Sequence, residues 1–362
     1  MLRLDRRLLQ NVDWLLLGAA LFIIALSLVS LWSLNPTRGI SSLVWRQASW
    51  VGVGLVGLLV VASVDYRNLV RTAPVLYVVG LGLLTSVFVL GRTVSGARRW
   101  IHLGPLTVQP SELFKLIFII TLAWALTTGR GVRSRTSLIG TFVLLGIPFL
   151  LVVRQPDLGT ALCLIPVLGA ILVGIGIPLK VLGGMTLAGV AAMPLGWFVL
   201  KPYQRDRLLV YLDPFRDPLG TAYNVIQAKI AIGSGQLLGK GVGGATQSRL
   251  SFLPERHTDF IFAVFAEMWG FLGCLVLIVA YVLLVMRGFE IAAGTREMRG
   301  RILALGVTTV FAAQILINIG MVTGLLPIVG IPLPLMSYGG SSMVVSLTAL
   351  GLLLSIRMRQ FR

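Results

Sequence analysis

Cysteine, histidine and acidic residues are what this sequence has least of. Its only cysteines, Cys163 and Cys274, lie inside apolar runs, which excludes a disulfide framework or a thiolate metal cluster. Its only histidines, His102 and His257, stand far outside helical spacing, so a histidine-ligated zinc site is excluded as well. Charged residues make up 12% of the 362 positions, where a soluble domain carries roughly 25%. A chain with 56% hydrophobic residues and a mean hydropathy of +0.92 is not an ordinary soluble globule. Glycine is plentiful, yet a nucleotide loop is missing. Before Gly239-Lys240, the position a Walker loop reserves for its first glycine is Ser234, and Gly241 stands where serine or threonine is needed.

What the sequence has instead is long apolar segments. They run at roughly 14–34, 43–64, 70–91, 112–128, 137–154, 158–176, 179–200, 260–286, 302–325 and 340–356, which gives about ten transmembrane helices. The reading is therefore all-α: a polytopic membrane protein forming a single transmembrane domain over 1–362, because backbone facing lipid must satisfy its hydrogen bonds within the helix. The first segment is too long for a signal peptide and runs into Asn35 and Pro36, so it is expected to stay as the first span. An even number of spans puts both termini on one side. That side collects most of the arginines, among them Arg3, Arg6, Arg7, Arg67, Arg71, Arg287, Arg299 and Arg357. The short loops opposite hold Arg38, Arg46, Arg92, Arg98, Arg99 and Arg154. Both termini are expected to be cytoplasmic, and 201–259 becomes one long external loop.

This orientation accounts for the pI of about 11.2 without nucleic acid, since much of the excess charge is juxtamembrane arginine. The external loop is still strongly basic, with Lys201, Arg205, Arg207, Arg216, Lys229, Lys240, Arg249 and Arg256. A polyanionic substrate such as a pyrophosphate and the phosphates of lipid fit it equally. Within the loop, Lys201–Pro218 reads as irregular, and 221–232 as a helix at the membrane surface with Ala222, Val225, Ile226 and Ile230 on one face. The glycines from Gly233 to Gly244 read as turns or as close approach to a ligand or a neighbouring helix. The last loop, 326–341, has Pro327, Pro332, Pro334 and no charge, and is expected to be a bent hairpin packed inside the protein.

Acids at the edge of hydrocarbon are costly to desolvate and easily tuned in proton affinity, which singles out Glu112, Asp157, Asp259 and Glu267. Glu112 and Lys115 share a helical face behind Pro110, as a structural ion pair or a substrate contact. Asp157 precedes Leu158-Gly159-Thr160, as a helix N-cap or as part of a site. Asp259 ends the densest ionisable cluster, Glu255-Arg256-His257-Thr258-Asp259. Positive charge from Arg256 and His257 and desolvation by Phe260, Ile261 and Phe262 push its pKa in opposite directions. Glu267, a little over two turns on, is expected near the face of Asp259. The two carboxylates could bind a divalent cation, hold a proton or divide two roles.

Taken in order, Gly96-Ala97-Arg98-Arg99-Trp100, Gln109-Pro110-Ser111-Glu112 with Lys115, Gln155-Pro156-Asp157-Leu158-Gly159-Thr160, Leu253-Pro254-Glu255 with His257-Thr258-Asp259-Phe260-Ile261-Phe262-Ala263, and Ser337 to Ser341 resemble the SEDS family (shape, elongation, division and sporulation) nearly end to end. Asn224 to Gly233, Gly244 to Arg256 and Ile331-Pro332-Leu333-Pro334 bring the chain nearer to the elongation branch than to the division branch. The resemblance implies a peptidoglycan glycosyltransferase that polymerises lipid II into glycan strands on the outer face of the bacterial inner membrane. Asp259 matches the essential aspartate, which deprotonates an acceptor hydroxyl while undecaprenyl pyrophosphate leaves with inversion. Arg46, with Lys115 and Arg256 behind it, is the candidate for stabilising that leaving group. Glu112 and Lys115 match the family's paired charges, Asp157 its second acid, and Glu267 a supporting acid. Arg99, Trp100, His257, Ser337 and Tyr338 complete the expected substrate contacts.

The expected partner is a class B penicillin-binding protein supplying transpeptidation, alongside lipid II and the nascent glycan strand. A divalent cation, Mg²⁺ or Mn²⁺, is left open by ligand type. One departure is Glu267-Met268-Trp269-Gly270, where many relatives carry a second glutamate after the first. Outside the enzyme class, a flippase for a lipid-linked precursor has similar composition but should carry polar residues along both halves of its path. A non-catalytic scaffold should tolerate loss of Asp259.

Overall fold

The structure is a computed structural model and describes residues 10–34, 42–94, 97–103, 106–128, 135–178, 180–184, 187, 189, 191, 198, 202–213, 222–245 and 255–360. Most of the span expected at 179–200 lies outside the described residues, as do Lys201, Arg216 and Arg249. In chain order, α1 (Trp14–Ser33), α2 (Ser42–Ser63), α3 (Tyr66–Arg71) and α4 (Ala73–Leu90) lead into β1 (Arg92–Val94), β2 (Ala97–Leu103) and β3 (Leu106–Val108). Then come α5 (Pro110–Thr127), α6 (Arg135–Arg154), α7 (Leu158–Gly174), α8 (Pro202–Leu212), α9 (Tyr223–Ser234), α10 (Gly241–Gly244), α11 (Ile261–Gly294), α12 (Met298–Thr323) and α13 (Gly340–Arg359).

Among the described residues, 7 helices are long and apolar enough to cross a membrane: α1, α2, α4, α5, α11, α12 and α13. Gly140–Arg154 and α7 are shorter apolar helices at positions also read as spans. The chain is a multi-pass membrane protein. Its inner layer is α5, α12 and α13, buried over 78%, 72% and 72% of their apolar windows, against 22% for the outer helix α2. Small residues let these helices close up. A Cβ on Gly351 would lie 2.5 Å from the Leu58 carbonyl, which brings α13 onto α2, and Gly306 of α12 likewise makes room for Ile119 of α5. At its start, α1 is capped by Asp13, which accepts from the Leu16 amide at 3.0 Å and pairs with Arg287 of α11 at 2.7 Å.

Several local readings are corrected. Beside the helices stands a 3-stranded antiparallel sheet in the order β1-β2-β3, with Ile101 opposite Val108; β1 and β3, of 3 residues each, are too short to show a period in the sequence, and Ala97–Leu103 does not alternate apolar with polar. The stretch Lys201–Pro218, read as irregular, contains α8; Pro202 opens that helix, where a proline costs no hydrogen bond. The helix read at 221–232 exists as α9, but it packs on α11 and α12 through Ala228 and Ala231 while Ile230 is exposed. Small side chains allow close packing there, so the bulky apolar residues do not mark the buried face.

The glycine-rich stretch has a defined job. Within α11, Gly270 leaves helical geometry (φ 63°, ψ −162°), and the turn after α9 fills the break. Phe271 donates to the Gln236 carbonyl at 2.8 Å, Leu272 to Leu237 at 3.1 Å, and Lys240 to Glu267 at 2.9 Å. Gly239 (φ +81°) lies so close that a Cβ would come within 2.1 Å of the Met268 carbonyl oxygen. The close-approach reading is the right one, and its target is a helix.

The loop between α12 and α13 turns inward, with Ile331, Leu333, Leu335, Met336 and Ser337 all buried. Its backbone is satisfied by side chains from around the bundle. Ser27 of α1 donates to the Met336 carbonyl at 2.6 Å, Tyr281 of α11 to Pro334 at 2.8 Å, and Asn318 of α12 to Ile331 at 2.7 Å. Gln47 of α2 donates to the Ser337 carbonyl at 3.1 Å and accepts from the Gly339 amide at 3.3 Å.

Gly239→Val places a branched side chain at positive φ against the Met268 carbonyl and should cost at least about 1–3 kcal/mol. Gly233, where an added Cβ meets nothing within 4 Å, is the control. In detergent, thermal unfolding should fall clearly for Gly239→Val and stay unchanged or rise for Gly233→Ala.

Candidate active site

A short turn carries Asp259 to the mouth of α11. The Thr258 amide donates to the Glu255 carbonyl at 3.1 Å, and Glu255 opens the turn at a left-handed φ of 49°. The Asp259 carbonyl accepts from Asn318 Nδ2 at 2.9 Å, and the same amide nitrogen reaches Ile331. One fully buried amide therefore fastens the acid-bearing turn to the inward loop.

The loop supplies the other wall. At Gly330 (φ +70°) a Cβ would stand 3.2 Å from Asp259 Oδ2 and 3.9 Å from Arg207 Nη1, so a glycine leaves room for both charged groups. Ser337 donates to the Thr258 carbonyl at 2.6 Å, and the Tyr338 amide donates to His257 at 2.8 Å. The rings of His257 and Tyr338 meet edge to face at 5.6 Å. Ser341 continues the contact outward, donating to the Thr107 carbonyl at 3.1 Å and accepting from the Gln109 amide at 3.0 Å.

Asp259 is partly open to solvent yet sits deep among protein atoms. Desolvation and then Glu255 push its pKa up to about 6, outweighing Arg207 and Arg99, which favour the ionised form. The opposition expected from sequence is real, but its cations are Arg207 and Arg99 rather than Arg256 and His257. Burial lowers the pKa of His257, which favours the neutral imidazole.

The remaining acids have protein partners. Asp157 caps α7 through the Thr160 amide at 3.3 Å and also accepts from Ser111 (2.9 Å), Gln109 (3.0 Å) and the Thr160 hydroxyl (2.9 Å). Arg99 lies 3.7 Å away and also donates to the Pro156 carbonyl. Trp100 follows on β2, half-buried. Glu112 and Lys115 pair at 2.7 Å, both buried. Glu267 is fully buried and pairs with Lys240 at 3.3 Å at the break in α11.

The expectation that Glu267 shares a face with Asp259 therefore fails. Helical spacing begins only at Ile261, so it does not extend back to Asp259. Among the described residues no group of three or more His, Cys, Asp or Glu side chains is placed to hold a metal ion. Arg46 is exposed on α2, with no hydrogen bond or ion pair among the described residues; its neighbour Gln47 is the buried one that grips the loop. Arg256 is half-buried in the turn. Sequence reasoning passed over Gln47, Asn318 and Gly330, and it took Arg207 and Lys240 only as two of the basic residues of the external loop. Gln47 and Asn318 did carry a signal, as polar side chains in apolar helices.

A broken helix bundle wrapped around an inward loop, with a carboxylate at their junction, defines an integral membrane protein whose candidate site lies at a helix mouth. The chain belongs to the cell cycle protein family of FtsW, RodA and SpoVE, whose model matches residues 7–361. It is 42% identical to peptidoglycan glycosyltransferase MrdB of Escherichia coli (strain K12) over 313 residues, 86% of this chain and 84% of that protein. It is 37% identical to stage V sporulation protein E of Bacillus subtilis (strain 168) over 324 residues, 86% of each chain. Among solved structures, the Thermus thermophilus rod shape determining protein RodA matches with a TM-score of 0.73 and 31% identity, covering 97% of this chain and 98% of that one. A chain from a peptidoglycan synthase complex, described for its coordination of polymerisation and crosslinking, matches with a TM-score of 0.83 and 34% identity over 97% of this chain and 99% of that one.

Lys115→Met leaves Glu112 buried without its partner and should cost roughly 3–5 kcal/mol, whereas Glu112→Gln with Lys115→Met should recover most of the loss. Thermal unfolding of the single and double variants checks this. Equal losses in both would contradict a buried pair held by mutual charge.

Proposed function

We propose that Asp259 is the general base of a glycosyl transfer that polymerises lipid II. The chain is a peptidoglycan glycosyltransferase, the activity that its relatives MrdB and FtsW carry in their names. One observation supports Asp259 above the other acids. Glu112 is engaged by Lys115, Asp157 by Arg99 and three side chains of its own cluster, and Glu267 by Lys240. Among the described residues the carboxylate of Asp259 has no hydrogen bond and no ion pair, and part of its surface is open.

In this reading the acceptor sugar's 4-hydroxyl oxygen forms the new bond to the donor's anomeric carbon as its proton passes to Asp259. The bond from that carbon to the donor diphosphate breaks, and its electron pair leaves on the diphosphate, with inversion. A base with a pKa near 6 is ionised at neutral pH yet is a stronger proton acceptor than an ordinary carboxylate. Arg207 and Arg99 favour the charge on Asp259, and Asp157 opposes it. His257, Tyr338 and Ser337 shape the wall beside it.

The arginine asymmetry supports cytoplasmic termini and an active site on the external face of the inner membrane. A class B penicillin-binding protein is the partner that crosslinks the strands. The relatedness to a rod shape determining protein supports a role in cell elongation.

With purified protein and lipid II in detergent, Asp259→Ala should lower the rate of glycan formation by about 10²–10⁴ without lowering thermal stability. Product equal to the wild type would remove Asp259 as base, and lipid II crossing liposomes without polymer would favour the flippase. The rate should also depend on pH. Below the pKa the carboxyl is protonated and cannot accept, so the rate should fall as pH drops through about 6. Glu255→Gln removes a charge that raises this pKa, so its pH limb should move to lower pH; an unmoved limb would assign the titration to another group.

A further inference from the structure

Gln314 of α12 is only 3% exposed, yet its side-chain amide makes no hydrogen bond among the described residues. It lines a cavity of about 10 Å³ between α5, α12 and α13, together with Glu112, Lys115, Ser346 and apolar walls that include Phe311. The Ser346 hydroxyl is also buried and has no partner among the described residues. The charged pair spends one bond on itself, from Lys115 Nζ to Glu112 Oε1 at 2.7 Å, which leaves two ammonium protons and the second carboxylate oxygen. Four polar side chains from three helices thus turn on one small space. Buried groups left unmet on this scale are costly.

Size and charge decide what the space accepts. It has room for one water molecule, which needs two to four polar partners. The Lys115 ammonium opposes a cation there, and the Glu112 carboxylate opposes an anion. Neutral water accepts from Lys115 or Ser346 and donates to Glu112 or the Gln314 oxygen. The helices it would join are the two flanks of the inward loop, which leaves α12 after Thr323 and enters α13 at Gly340. One turn beyond Gln314, on the same face of α12, Asn318 holds both the loop and the Asp259 carbonyl. It does so through Nδ2 alone, since its buried Oδ1 has no partner among the described residues. The placement of the acid is therefore only as firm as the register of α12.

We propose that this cavity binds a single water molecule, which pins both flanks of the loop to the Glu112–Lys115 pair and makes Gln314 and Ser346 positioning residues for Asp259. The inference rests on Asp259 being the base, and it gives the buried pair a part in the reaction without contact to substrate. Neither positioning residue touches the acid; both act through the helices that carry the loop. Without the water the turn loosens and solvent reaches the Asp259 carboxylate. Desolvation is the largest cause of its raised pKa, ahead of Glu255, with Arg207 and Arg99 opposing and Asp157 adding to the rise, so a loosened turn lowers it.

The occupant is read in a density map of the full chain at a resolution that shows ordered water. The expected result is one peak within hydrogen-bond distance of Gln314, of Ser346 and of Lys115 or Glu112. A map with other buried waters but none here would overturn the proposal. The role is read by lipid II polymerisation in detergent. Gln314→Leu and Ser346→Ala should each lower kcat per folded molecule roughly three- to tenfold at unchanged KM, as expected for losing a hydrogen bond. Their acid limbs should move to lower pH. Because both residues hold one water, the double variant should be no slower than the slower single variant. Ile315→Val, a buried loss on α12 outside the cavity lining, should lower thermal stability without moving the limb. Ser346→Ala is the smaller change and carries the test if Gln314→Leu folds poorly. A wild-type kcat and limb in Ser346→Ala, or an equal shift in Ile315→Val, would overturn the positioning role. Asp259→Ala separates this from the base assignment. If it polymerises normally, the base falls and the positioning role with it, while the density peak still decides the water site. If it is inactive but Ser346→Ala behaves as the wild type, the positioning role falls and the base remains.

Discussion

A non-helical segment inside a helical membrane protein must find partners for its backbone, and here that demand organises the site. In lipid an unpaired amide or carbonyl costs several kcal/mol, so the loop between α12 and α13 depends on side chains reaching it from Ser27, Gln47, Tyr281 and Asn318. Those residues belong to α1, α2, α11 and α12. The loop is therefore the point at which these helices are registered against one another. Asn318 extends the arrangement, because its amide binds the loop and the carbonyl of Asp259 together. Moving the loop moves the acid.

The same economy of partners sorts the acids. Where a carboxylate is enclosed, a cation or a set of hydroxyls and amides is built beside it, as for Glu112, Asp157 and Glu267. Two of these tie elements together, while Glu112 pairs within α5: Asp157 joins β2, α5 and α7, and Glu267 joins the turn after α9 to the broken α11. Asp259 is different in kind. Its backbone is fixed by Asn318, while its carboxylate is left facing Gly330 and Arg207 without a direct bond. Rigid placement with an uncommitted functional group is what a general base requires.

Much of this was legible in the sequence. The apolar runs gave the helices, Asp157 was readable as a cap, Glu112 and Lys115 as a pair, and the uncharged 326–341 stretch as an inward hairpin. What stayed hidden depends on partners distant in the chain. Asn318 meets Asp259 across 59 positions, and Gln47 meets Ser337 across 290. The face of α9 was misread because Ala228 and Ala231 allow close packing that bulkier residues do not. Glu267 was placed beside Asp259 because helical spacing was carried back through a turn that is not helical. The glycines after α9 showed that something comes close, but only the break at Gly270 shows that it is α11.

The central claim is that one uncommitted carboxylate, raised in proton affinity by its surroundings, sits at the junction of the turn and the loop. Infrared difference titration of the purified protein against Asp259→Asn reads it directly through the carboxyl C=O stretch. The expected result is a single protonated-carboxyl band that titrates near pH 6 and is missing from the variant. A band for Asp259 that titrates at the ordinary aspartate value, about 3.9, or identical titrations for the two proteins, would contradict it.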